Sequence, residues 1–175
     1  MDVLGPDNAF WIDGEWIGWD SIIDPDEIRS SRLAELERQA DLRLRYPNAD
    51  ITLVPYFLDL LTLAKSYFLK TGQHLNAYGD IGELFGAIIY GIKLHRTHAQ
   101  GSDGRVGNDF VEIKTISPLC KSQQTRVRLD RHFNKLLFVK IDDDFEVHGK
   151  LIDRKALPKR QSRVLNLSWE RAVAL

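Results

Sequence analysis

Asp103, Glu112 and Lys114 are the residues of this chain whose types and spacing most directly permit chemistry. They fall in a segment that reads as a tight hairpin. Asp103 to Val106 can form a short strand, Gly107 and Asn108 supply turn chemistry, and Asp109 to Ile116 form a second strand. Side chains alternate along a strand, so Glu112 and Lys114 point one way while Val111 and Ile113 point the other. Two carboxylates and an ammonium can then converge on one point. Such a group can hold a divalent cation and activate a water beside it, which phosphodiester hydrolysis requires. Asp109 is a rival to Asp103. Its three-residue separation from Glu112 sets the two on opposite faces of a regular strand, and a turn residue is explanation enough for it.

The elements that must position these residues follow from pattern. Phe10 to Trp19 reads as a small hairpin turning at Asp13 and Gly14, with Trp11, Trp16 and Trp19 as a concentrated apolar load. Asp24 to Glu27 resembles a helix start, and Ile28 to about Tyr46 is expected as a helix with Leu33, Leu36, Ala40 and Leu44 near one face. A second, weakly charged helix is expected to run to Leu69, capped by Asp50 or Thr52 with Pro55 in its first turn. A third is expected from about Tyr78 to Leu94 and contains Glu83. After Lys114 the pattern turns to strands: Thr125–Leu129, the mostly apolar Lys135–Ile141, which suits the inside of a sheet, and Phe145–Ile152. The acids Asp142 to Asp144 lack the ligand alternation of a calcium loop and read as a solvated hairpin tip. Ser168 to Ala172 reads as a short docked helix.

Composition bounds the partners. At 175 residues, 43% hydrophobic and 28% charged, the chain has the makeup of a globular domain with a core. It has no apolar run long enough for a membrane span, and its first residues resemble neither a signal nor a transit peptide. Cys120 is the sole cysteine, which excludes an internal disulfide and a multi-cysteine zinc site, so a reducing, cytoplasmic setting is expected. The net charge of −1 conceals a gradient: residues 1–100 carry 9 Lys and Arg against 15 Asp and Glu, residues 101–175 carry 15 against 10. The basic excess begins where the hairpin begins, as suits a protein that turns one face to phosphates.

Helix, hairpin with D…ExK, then further strands is the order in which the chain resembles the PD-(D/E)XK nuclease superfamily, close to its small uncharacterised members. The resemblance spans about Gly79 to Ile152, and the strand Glu112–Ile116 is also similar to that of the mismatch-repair nicking endonucleases. It implies an α/β fold: a mixed sheet flanked by helices, with a restriction-endonuclease-like αβββαβ core over 76–175. Residues 1–75 would be a Trp-rich and helical addition packed on that core. It further implies that Asp103 and Glu112 bind the metal and that the Ile113 carbonyl completes its sphere. Lys114 would sit beside the attacking water or scissile phosphate, and Glu83 would be the helical Glu that binds metal directly or through water. Hard oxygen donors favour Mg²⁺ or Mn²⁺. Ser102 stands where the family has Pro.

What the resemblance implies is a Mg²⁺-dependent DNA endonuclease in restriction, repair or mobile-element defence, acting as a homodimer or as a subunit of a larger system. Lys121, Arg126, Arg128, Arg131 and Lys135 can track a phosphate backbone, or form a solvated sheet face. Lys150, Arg154, Lys155, Lys159, Arg160 and Arg163 form a second basic set. His95 and His98, i and i+3 at the end of the third helix, permit joint ligation, although the helix dipole alone accounts for them. An inactive DNA-binding or assembly module of the same fold, and an RNA-directed nuclease, are the alternatives.

Overall fold

Helical and alternating patterns resolve in the computed structural model into two compact units, Met1–Arg45 and Tyr46–Leu175. The division falls between Arg45 and Tyr46, so the second expected helix lies in the same unit as the sheet. The structure describes residues 9–12, 15–18, 25–47, 49–95, 101–158 and 163–175. The expected turn at Asp13 and Gly14, Trp19, the start at Asp24, His98, Lys159 and Arg160 lie outside them.

The first unit holds an antiparallel ribbon of β1 (Ala9–Ile12) and β2 (Glu15–Gly18), with Trp11 opposite Trp16 in register. It also holds α1 (Pro25–Arg45). Proline opens this helix, where its missing N–H costs nothing. The ion pairs Glu35–Arg38 and Asp41–Arg45 link successive turns.

In the second unit Asp50 caps a short 3₁₀ turn, Ile51–Leu53, by accepting from the Thr52 N–H, and α2 (Val54–Thr71) follows with Pro55 in its first turn. Next comes α3 (Tyr78–Tyr90). This helix was expected to continue to Leu94, but Gly91 takes a left-handed φ of 64°, which ends it. Lys93–Leu94 becomes the two-residue strand β3. The hairpin of β4 (Gly104–Val106) and β5 (Asp109–Ile116) is as expected. A five-stranded sheet then forms in the order β3-β4-β5-β7-β8, with β7 (Lys135–Ile141) parallel to β5 and β8 (Val147–Asp153) antiparallel to β7. β7 lies inside the sheet, and Leu136 to Val139 are fully buried.

The crossover between the parallel strands β5 and β7 carries a strand where an αβββαβ order places a helix. That strand, β6 (Gln124–Arg128), pairs with β9 (Val164–Ser168) in a separate two-stranded sheet, and α4 (Trp169–Val173) follows. The central sheet is therefore covered by α2 and α3 on one face and by β6, β9 and α4 on the other. Ile81, Ile141 and Phe145, and separately Val111, Ile113 and Leu137, pack on the first side. Phe138, Val127, Leu165 and Ala172 pack on the second. The fold is thus mixed α/β. No helix among the described residues is long and apolar enough to cross a membrane.

One close approach sets the position of α3. A Cβ added to Gly82 would lie 2.0 Å from the Thr115 hydroxyl oxygen, so only glycine lets the helix lie this close to β5. Glu83, the next residue, is thereby brought to the C-terminal half of β5.

Candidate metal and phosphate site

The site begins where the hairpin opens. Asp103 closes the ladder with its own backbone, donating its N–H to the Val111 carbonyl at 2.9 Å. Its side chain then takes the next donor, the Ile113 N–H, through Oδ2 at 2.6 Å. Beyond that point β5 has no strand partner on this side among the described residues, and a cleft of about 440 Å³ lies there, with Glu83, Asp103, Ile113, Lys114 and Thr115 among its lining. His74, Asn76 and Tyr78, which no local sequence signal singles out, also line it. The His74 Nδ1 lies 2.6 Å from the Tyr78 hydroxyl, and its ring stacks on Phe68.

Alternation along β5 works as the spacing predicts. Val111 and Ile113 enter the apolar layer under α3, while Glu112 and Lys114 share the opposite side and make an ion pair at 2.6 Å. Glu112 is fully buried, whereas Lys114 is about a quarter exposed. A second cation, Arg131, reaches the same oxygen, Oε1, at 2.9 Å. Glu112 Oε2 is buried and has no partner among the described residues. Two positive charges are therefore concentrated on one carboxylate oxygen while its twin is left bare. Lys114 also donates to the Ile113 carbonyl at 3.2 Å.

The electrostatics are those of acids held against their preference. Burial pushes the Asp103 carboxyl up, the Ile113 N–H opposes this, and the neighbouring Glu112 charge adds to it. Burial likewise raises Glu83, with the charges of Asp103 and Asp80 reinforcing it and Lys114 opposing. Two carboxyls pushed up by burial and by a neighbouring acid, beside the bare buried oxygen of Glu112, are suited in chemistry to a hard divalent cation. Their spacing is looser than a closed chelate, since Glu83, Asp103 and Glu112 do not all come within 4.8 Å of one another. Among the described residues, Asp142, Glu146 and His148 do. That cluster sits on the β7–β8 hairpin, where Asp142 is occupied by the N–H groups of Asp144 and Glu146 and by His148.

The remaining expected site residues divide. Arg131 joins the site through Glu112. Arg128 is held by a fork to Asp130 at 2.8 and 3.1 Å, and Lys135 by Asp153 at 2.6 Å with Asp109 at 3.6 Å. Lys121 and Arg126 are exposed. Asp109, the rival carboxylate, thus faces Lys135 and not the cleft. His95 does not end a helix; it follows β3, with Nδ1 3.1 Å from the Ser102 carbonyl. Arg154, read as part of a basic set, is instead a clamp. It donates to the carbonyls of Leu129, Arg131 and Phe133 and lies over the Phe133 ring, fixing the loop that delivers Arg131. No local signal marks that role, because its acceptors are main-chain atoms of a segment more than twenty residues away. No family model and no curated protein matches this chain.

Proposed function

We propose that this chain is a metal-dependent DNA endonuclease whose site is the Asp103–Glu112–Lys114 group with Glu83 at its side. The observation that carries the reading is the fully buried Glu112, held by Lys114 and Arg131 through one oxygen with the other unpartnered, beside a cleft that Asp103 and Glu83 line. A buried, incompletely satisfied charge costs several kcal/mol, on the order of 1–3 even for a single hydrogen-bonding group, and packing supplies no reason to retain it. A divalent ion held by Asp103, Glu112 and the Ile113 carbonyl, with Glu83 nearby, would polarise a phosphoryl oxygen and an attacking water.

The chain's own residues supply the rest. Asp103 is fixed by the Ile113 N–H through one oxygen, which leaves the other to face the cleft as a ligand or acceptor. Lys114 presents an ammonium at the cleft wall, where it stabilises negative charge gathering on a phosphate in the transition state. Arg131 pairs with Glu112 and keeps it oriented, so that Lys114 is free to shift toward substrate without leaving that carboxylate unpaired. The alternative of a non-cutting DNA-binding module assigns no task to the bare Glu112 oxygen. The test is nicking or linearisation of supercoiled plasmid in Mg²⁺ and in Mn²⁺. Asp103→Ala and Lys114→Ala should each reduce the rate at least about a hundredfold, the scale on which loss of one electrostatic stabiliser acts. Equal cutting by all three proteins would sink the reading.

A further inference from the structure

We infer that duplex DNA lies on the face of the β4–β5 hairpin built from Arg105, Phe110, Arg131 and His132, and not on the outer strand β6. The identity of the partner rests on the nuclease reading above; the placement rests on the following geometry. Arg105 and Phe110 are directly opposed in the β4–β5 ladder, so their side chains share one face. Phe110 alternates with Glu112 and Lys114, which puts all of them on the side where Lys114 and Arg131 meet Glu112.

A loop completes that surface. Asn134 bridges to Phe110 with both its groups, its N–H donating to the Phe110 carbonyl at 2.8 Å and its side-chain oxygen accepting from the Phe110 N–H at 2.9 Å. The loop is thereby stitched to β5. His132 then stands 5.1 Å from the Phe110 ring, and Arg131 reaches Glu112. From the neighbouring strand β4 the Arg105 guanidinium lies over Phe110 at 5.1 Å. A guanidinium over an aromatic ring is oriented by it without consuming its hydrogen-bond donors.

Charge decides between this face and β6. Arg105 has no carboxylate partner among the described residues, and Arg131 with Lys114 outweighs Glu112 by one positive charge. On β6, by contrast, Arg128 is neutralised by Asp130, which leaves Arg126 as that strand's one cation without a carboxylate partner among the described residues. A phosphate backbone running from the cleft past Arg131 to Arg105 meets cations at successive steps, as backbone contacts require. The half-buried Phe110 carries no charge; it lies under the Arg105 guanidinium and, through Asn134, ties the loop that carries Arg131 to the same strand.

The experiment is binding of a short fluorescent duplex to the full chain carrying Asp103→Asn, across a salt series in EDTA. Removing one phosphate contact should weaken binding several-fold and lower the slope of log K against log salt by about 1. Arg105→Ala should do this, Phe110→Ser should do so in part by releasing Arg105, and Arg126→Ala should leave the slope unchanged. Arg105→Gln, milder still toward the fold, should repeat the alanine result. Dependence on Arg126 without dependence on Arg105, or no salt-dependent binding at all, would overturn the placement. Tighter binding of a matched RNA duplex would overturn the choice of DNA. Plasmid cleavage separates the two readings: Arg105-dependent binding by a wild-type protein that never cuts sinks the nuclease alone, whereas cutting indifferent to Arg105 sinks the surface alone.

Discussion

The acids of β5 and those of the hairpin joining β7 to β8 are the same residue types in opposite circumstances. Glu112 is fully buried, takes two cations on one oxygen and has none for the other. Asp142 sits at the surface with its oxygens occupied by two main-chain N–H groups and His148. The second arrangement is a turn that satisfies itself. The hairpin needs it, because Phe145 is held at a φ of 66° and buried against Phe68, His74 and Tyr78. Closeness of carboxylates is therefore a poor guide to a ligand site. An acid whose hydrogen-bonding capacity the fold leaves unused is a better one.

The sharpest way to break this contrast is to strand the buried charge. Lys114→Met with Arg131→Met leaves Glu112 without a counterion and should cost about 3–5 kcal/mol of stability, read by urea denaturation at neutral pH. Adding Glu112→Gln should restore most of it. A loss below about 1 kcal/mol would mean that the pair of cations does not matter to Glu112.

A smaller effect tells which cluster takes a divalent ion. Mg²⁺ at about a hundred times its dissociation constant should stabilise the fold by about 2.7 kcal/mol, seen as a rise in melting temperature. Asp103→Asn should abolish the rise and Asp142→Asn should leave it intact. The reverse pattern would move the ion to the β7–β8 hairpin.

The smallest effect is one of pH, and its sign differs between the two regions. At Asp142 burial works against ionisation, but the N–H groups of Glu146 and Asp144 and the His148 ring prevail, and the carboxyl is held below its ordinary value. Its contribution is present above the unfolded carboxylate value and is lost as pH falls through the folded one. Asp142→Asn should therefore cost less than about 1 kcal/mol at neutral pH and nothing in acid. Asp103 is raised, chiefly by burial, so its charge is a cost that is absent below the ordinary carboxylate value and accrues as pH rises through the folded one. Asp103→Asn should accordingly stabilise the protein at neutral pH. Stability curves of the two variants that move in the same direction would erase the contrast.

The hairpin, the sharing of a face by Glu112 and Lys114, and the burial of Lys135–Ile141 were legible in the residues. Each depends on a two-residue period and on turn chemistry within a few positions. The end of α3 was misplaced because the apolar run through Ile92 outweighed Gly91, whose left-handed backbone stops the helix. β9 and its pairing with β6 carried no local mark, since a short strand is recruited by a partner distant in sequence.

By itself, then, the sequence determined the local geometry: which residues alternate to the same side, where the hairpin turns, and which acids and lysine can meet. Only the tertiary structure decided what those groups experience. The parallel pairing with β7 buried Glu112, and the Arg154 clamp brought Arg131 to it. The opening of the sheet at Asp103 set the cleft beside Lys114. Burial and charge balance are sums over neighbours far apart in the chain, and no spacing of residues along it contains them.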